Sequence, residues 1–326
     1  MRNKRIIDIH CHYPTLNTEI SDLSELNIST IGKIAIKYHS RSVNSRWTED
    51  IEELRVDALV NFSELINSSI IDNFVVLAWD GIYDSKGELD TDRTVMYVSN
   101  DSVKELSIKE DKVLFGASIN PQRKDCFEEL ERVALMKAAL IKFHPTFQHF
   151  NPKKKQYQKF YKRIAELKIP ILIHIGPEFA GPGIKTIKEY ESIDNLIPIL
   201  EQGATVIAAH GMGTSVMFDS VAFREVEAML RRYPNLYVDN SATTVPHRKK
   251  RALSMLKSEL ALERTLYGTD FPVRPHLKFF LNSIPPKKSA EIILNVGNIL
   301  DRDLEIKKAI GFPDETFSRG YDLLNL

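Results

Sequence analysis

A chain of 326 residues, 43% hydrophobic and 27% charged, is long enough to bury a sizeable core as one large α/β domain or two of average size. Its 14 glycines and 15 prolines are no excess of the disordered kind. Lys+Arg and Asp+Glu balance at 44 each, with a pI near 7.1, so the basic surplus that neutralises nucleic-acid phosphates or anionic lipid is lacking and a small-molecule partner is expected.

The start, MRNKRIIDIHCHYP, offers only Ile6 and Ile7 as an apolar run before Asp8, far short of a signal-peptide apolar region. No stretch approaches the roughly 18 consecutive apolar residues of a membrane span. Cys11 and Cys126 are too few for a disulfide framework or a thiolate zinc site, and a reducing cytoplasm is the expected compartment.

Eight short apolar or β-branched runs follow in order: Arg5 to His10, Asn73 to Trp79, Val113 to Ile119, Ala139 to Phe143, Ile169 to His174, Ala204 to His210, Leu236 to Asn240 and Arg264 to Thr269. Helical stretches such as Gln156 to Leu167 and Ala222 to Arg232 separate them. Most runs are continuously apolar, as strands buried on both faces should be. Eight parallel strands alternating with helices predict a closed (β/α)8 barrel; an open doubly wound sheet would call for a glycine-rich turn after the first strand, and HCHYP has no glycine.

Three regions depart from this rhythm. The stretch from Tyr13 to the helix before the second strand is expected to cover the barrel mouth. The loop GPEFAGPGIKTIKEY after the fifth strand is rich in Gly and Pro, and the tail from Pro285 to Leu326 reads as helical with a break at GFPDE. The run Lys153 to Lys155 reads as a solvated helix start.

Chemistry concentrates at the strand ends. In Asp8-Ile9-His10-Cys11-His12, side chains two apart point the same way, so His10 and His12 can project together into the mouth and bind one ion, while Cys11 faces the helices as a small hydrophobe. Three more strands end in a metal-competent residue: PILIHIG at His174, TVIAAHGMG at His210 and RTLYGTDFP at Asp270. Sites of such barrels lie at the C-terminal ends of the strands, so these elements converge on one place, and a shared divalent ion is the simplest reason.

IDIHCH, FGASINP, LIKFHP, PILIHIG, VIAAHGMG, LYVDNSA and LYGTDFP, in that order over nearly the whole chain, make it resemble the amidohydrolase superfamily, in its amidohydrolase-related (amidohydrolase 2) subgroup. The resemblance implies a single barrel domain over 1–326, with a loop region at about 13–50 and a helical tail at about 285–326. It also implies metal ligation by His10, His12, His174 and Asp270. His210 would ligate a second ion, contact substrate, or give and take a proton. Lys142 ends the fourth strand, where some relatives carry a carboxylated lysine bridging two ions; the other reading is an ammonium paired with Asp270, Glu178 or an anionic substrate. A homodimer is implied by the family alone. The subgroup includes hydrolases, lactonases, a hydratase and decarboxylases, so it does not select a reaction.

His144, His149, His247 and Arg274 follow strand ends on the mouth side, and His144, Glu178 and Arg274 are taken as substrate-binding candidates. His39 and His276 have no supporting pattern. The imidazole-rich set favours zinc, with manganese or iron as alternatives. Asp270 could hold the ion through one oxygen and take a water's proton through the other, with His210 or the ion stabilising an oxyanion, which favours hydrolysis of an amide, lactone or ester. The rival is a metal-dependent decarboxylase or other lyase acting on a small carboxylic acid, with Arg274, Arg41 or Arg46 beside the carboxylate. A non-catalytic binding barrel would be expected to have lost a ligand, and none is lost.

Overall fold

All eight apolar runs form strands in the computed structural model, which describes residues 4–14, 51–94, 96–176, 187–213 and 221–326. They are β1 (Ile7–His12), β2 (Asn73–Leu77), β3 (Val113–Ser118), β4 (Leu140–Phe143), β5 (Ile171–Ile173), β6 (Val206–Ala208), β7 (Leu236–Asp239) and β8 (Thr265–Leu266). Each pairs in parallel with the next, giving one sheet in sequence order. The last strand returns to the first: Ile9 N donates to Tyr267 O (3.0 Å), Asp270 N to His10 O (2.8 Å) and His12 N to Phe271 O (2.9 Å). These bonds make the sheet a (β/α)8 barrel.

Alternation along the strands sorts side chains into two cores. Ile7, Ile9, Val75, Leu77, Leu140, Leu172, Ile207 and Leu266 fill the barrel interior with Leu324, while Phe74, Val76, Ile141, Phe143, Ile171 and Ile173 pack outward under the helices. Fully burying one such aliphatic side chain contributes about 1.5–3 kcal/mol, and the strands bury both faces. The helix Asp314–Leu323 closes the lower end, and Gly320 allows its approach: a Cβ there would lie 2.7 Å from Ile7 Cγ2 and 2.8 Å from Ile9 Cγ2.

The register of β1 against β2 slips between Asp8 and Cys11. The extra residue is a bulge, which bends a strand and redirects side chains. Cys11 is fully buried in the outer core as expected, and His10 and His12 both lie on the inner side.

The helix expected over Gln156 to Leu167 spans Gln158–Glu166, after one 3-10 turn at Lys155–Tyr157, and that over Ala222 to Arg232 spans Phe223–Arg232. Lys153 to Lys155 are exposed. The tail holds three helices, Pro286–Asn295, Ile299–Ile310 and Asp314–Leu323. Its first break, missed in the sequence, falls at Val296 to Asn298, where the Asn298 side chain caps the next helix by accepting from Leu300 N. The expected mouth cover over most of 13–50, with His39, Arg41 and Arg46, lies outside the described residues, as does Glu178. No described helix is long and apolar enough to cross a membrane.

Candidate metal centre

The upper layer of the barrel interior is polar. His10 Nε2 lies 3.2 Å from Asp270 Oδ1, and His12 Nε2 lies 3.1 Å from the same oxygen. Donors sharing one ion at about 2.0–2.2 Å in tetrahedral geometry sit roughly 3.3–3.6 Å apart, slightly more than these two separations, so the trio has the chemistry to hold a divalent ion and needs to open only slightly to do so. The other oxygen, Asp270 Oδ2, faces His210 Nε2 at 3.9 Å and Arg248 Nη1 at 3.8 Å. Close approach of β8 to β1 depends on Gly268, where a Cβ would lie 2.7 Å from His10 Cβ. Asp270 and His210 both hold left-handed backbone, with φ of 63° and 57°, a conformation that costs non-glycine residues of order 1 kcal/mol or more and is kept where function requires it.

Asp239, ending β7, sets the orientation of the imidazoles. Its Oδ2 accepts from His10 Nδ1 (2.8 Å), and its Oδ1 accepts from His210 N (2.8 Å), Ser241 N (2.9 Å) and Ser241 Oγ (2.5 Å). With its proton given to Asp239, the Ser241 hydroxyl can only accept, and it lies 2.8 Å from His210 Nδ1, which also faces Ser241 O at 3.1 Å. Both neighbours of His210 Nδ1 therefore call for a proton on that nitrogen, as Asp239 does for His10 Nδ1. The hydrogen-bond network thus assigns Nε2 of both rings as the nitrogen without a proton. His10, His210 and Asp239 also lie close enough to suggest an ion, but their facing atoms are already committed to this network. Lys142 Nζ, at 2.9 Å, donates to His10 Nε2.

On the side of β2 to β5 the mouth is aromatic. Trp79 packs 5.2 Å from His12 and 5.0 Å from His144, and the His144 ring stacks on His174 at 4.2 Å and 10°. His174 lies 5.3 Å from His210, ring to ring. His144 begins the short helix Pro145–Gln148 and accepts from Phe147 N.

Burial and neighbouring charges tune this layer. Burial opposes ionisation of Asp270, yet His210, His10 and His12 outweigh it and hold the carboxyl well below its usual range. Burial lowers His12 to about 4; burial and then Arg248 push His210 well below the ordinary imidazole range, and burial and then Lys142 do the same to His174. Ionised Asp270 thus faces neutral His12 and His210 at pH 7.

A family model described as amidohydrolase matches residues 7–277. The chain belongs to the amidohydrolase family. Its fold is similar to that of an uncharacterised TIM-barrel protein from Bordetella bronchiseptica (18% identity, TM-score 0.56, covering 93% of this chain and 99% of that one). It is also similar to a candidate 2-pyrone-4,6-dicarboxylic acid hydrolase from Acinetobacter baumannii (12%, TM-score 0.55, 99% and 100%) and a 5-carboxyvanillate decarboxylase from Sphingomonas paucimobilis (11%, TM-score 0.50, 96% and 98%). At these identities the likeness shows the fold, and no curated protein matches the sequence. The family is one of enzymes, generally metal-dependent, and the proteins of similar fold include one named as a hydrolase and one as a decarboxylase.

Of the residues singled out in the sequence, this amidohydrolase brings His10, His12 and Asp270 to one point, with Lys142, His210, His174 and His144 around it. Arg274 is partly exposed, and among the described residues no hydrogen bond or ion pair links it to the cluster. His247 is exposed and His149 partly so. Sequence reasoning missed Asp239, Ser241 and Arg248. The signal for the first two was present, since LYVDNSA ends β7 as the histidine-bearing motifs end theirs; Arg248 sits in the basic run His247 to Arg251, where nothing marks one arginine as inward.

Proposed function

We propose that this amidohydrolase binds one divalent ion through His10, His12 and Asp270, with His174 on the same mouth as a further donor, and hydrolyses an amide, lactone or ester bond of a small molecule. The carrying observation is the divided Asp270 carboxylate, with Oδ1 against His10 and His12 and Oδ2 turned toward His210 and Arg248. Zinc suits the imidazole and carboxylate set, and manganese or iron(II) would fit it. A bound ion would lower the pKa of a water from ~15.7 towards ~7 and polarise the scissile carbonyl.

The chain's own residues supply the rest. Asp270 is ionised and can accept the water's proton at Oδ2. His210 presents an Nε2 lone pair 3.9 Å from that oxygen, so it can take the proton onward and return it to the leaving group. In this tautomer His210 accepts in the resting state and does not donate to an oxyanion. Asp239 and Ser241 hold that orientation.

Elemental analysis tests the reading: close to one divalent ion per folded chain is expected, and a folded preparation that takes up none at neutral pH would sink it. Asp270→Asn keeps an oxygen donor but removes the basic oxygen. It should retain a substantial share of the ion while kcat on any substrate found falls about 10²-fold or more. Asp270→Asn as empty as His10→Ala would reduce Asp270 to an anchor. A decarboxylase acting on a small carboxylic acid is the second reading, and buried Arg248 beside Asp270 is the observation that favours it.

A further inference from the structure

Lys307 and Asp303 stand one turn apart on the tail helix Ile299–Ile310, with side chains 0% and 3% exposed. The chemistry proposed above uses neither. A buried ion pair is weak as a source of stability, since two apolar side chains of similar volume often pack as well or better. Its partners point to another role. Lys307 Nζ donates to Asp303 Oδ2 (2.6 Å) and to the carbonyl of Gly268 (2.7 Å), and lies 5.1 Å from the centre of the Tyr267 ring. Asp303 Oδ1 accepts from Thr244 Oγ1 (2.8 Å), in the segment that follows β7. One helix thus ties the end of β8 to the segment that carries Ser241.

Gly268 is where such a tie has most effect. β8 pairs with β7 only over Thr265–Leu266, and among the described residues no backbone N–H reaches Gly268 O, so the Lys307 ammonium supplies the bond that a longer strand would have made. The close approach of His10 calls for glycine here, and glycine is also the backbone with the most freedom to lose. Two residues on, Asp270 holds left-handed backbone at φ 63°, which persists only where its surroundings fix it. Asp8 fixes one side, accepting from Thr269 N (3.0 Å) and Thr269 Oγ1 (2.6 Å), and Lys307 fixes the other. We propose that Lys307, held by Asp303, is a positioning residue for the ion: through the Gly268 carbonyl it sets where Asp270 Oδ1 stands relative to His10 and His12. The inference rests on the ion-binding reading and adds that ion affinity depends on a tail helix that contributes no ligand. A shift of about 0.5 Å at one donor is enough to weaken a site whose donors must share one ion.

Lys307→Met alone would leave the Asp303 carboxylate buried and unpaired, so the test combines it with Asp303→Asn, which removes both charges and keeps an acceptor for Thr244. Zinc is titrated into the ion-stripped full chain against a chelating indicator, with melting temperatures read on the same samples. The double variant should stay folded and bind zinc about 10–100-fold more weakly than wild type. Leu304→Ala, which opens a cavity in the buried face of the same helix, should lower the melting temperature and leave zinc affinity unchanged. Wild-type zinc affinity in the double variant overturns the proposal, as does an equal loss in Leu304→Ala, which would make the effect one of helix stability. A wild type that binds no zinc defeats the ion reading and this inference together, whereas equal binding by wild type and double variant defeats this one alone.

A second measurement needs no variant to fold. If the tail helix sets the affinity for the ion, the ion must act back on the tail helix by the same factor. In wild type, zinc should therefore slow amide hydrogen exchange across Ile299–Ile310 more than across Phe223–Arg232, taken as the reference helix. Equal slowing of the two helices, or none, overturns the proposal.

Discussion

The barrel interior has two halves built from the same strands. Low in the barrel, Leu140, Leu172, Ile207 and Leu266 pack on one another and on Leu324. One or two turns of alternation higher, the same strand ends supply Lys142, His174, His210 and Asp270, all buried. The lower half is satisfied by contact alone, whereas the upper half requires every buried polar atom to find a partner of the right charge and tautomer. Stability and function are thus separated by a few ångströms along each strand, and each half should fail in its own way.

Acid should break the upper half first. In ion-free protein, burial keeps His12 neutral down to about 4 and depresses His144, His174 and His210 well below the ordinary imidazole range, while unfolded histidines protonate near 6.5. The unfolded state therefore binds more protons in this window, and stability, full above pH 6.5, falls as pH drops towards 4. For His12 alone the loss at pH 5 is about 2 kcal/mol. Urea midpoints at pH 7 and pH 5 check this, and equal midpoints would contradict the neutral-imidazole account.

Leu172→Ala should break the lower half, costing about 2–5 kcal/mol while leaving the ion content of the folded fraction unchanged. Loss of the ion would show that the halves are coupled through β5.

Asp239→Asn sharpens the comparison from within the polar half. It changes the groups that His10 Nδ1 and Ser241 Oγ meet, and ion affinity should fall about 10–100-fold with a much smaller change in melting temperature. The smallest effect is expected for Lys142→Ala: the ion-to-chain ratio should stay near one, and a fall from two to one would show that Lys142 bridges a pair of ions.

Much of this was legible in the chain. The eight strands were readable because apolar runs buried on both faces leave an unbroken signature, and the strand-end residues because an inward side chain after an apolar run is conspicuous. Strand lengths were less readable: β8 pairs over only Thr265–Leu266, since Tyr267 to Asp270 bond to β1 and to side chains instead. That the adjacent residues Ile9 and His10 both lie on the inner side depends on a bulge that simple alternation does not reveal. Arg248 was illegible because its meaning arises from a fold that turns one residue of a basic stretch inward while leaving His247 exposed.

The floor of the barrel has a consequence for how the protein is made. The helix Asp314–Leu323 and Leu324 pack beneath Ile7 and Ile9, and β1 gains its second neighbour only when β8 arrives. On the ribosome, the strand bearing His10 and His12 therefore emerges first and waits with one edge open, and the contacts that seal it come from the far end of the chain. Contacts of such long sequence separation form late and slowly, so barrel closure and the ion-binding trio are expected to be completed only after nearly the whole chain has been synthesised.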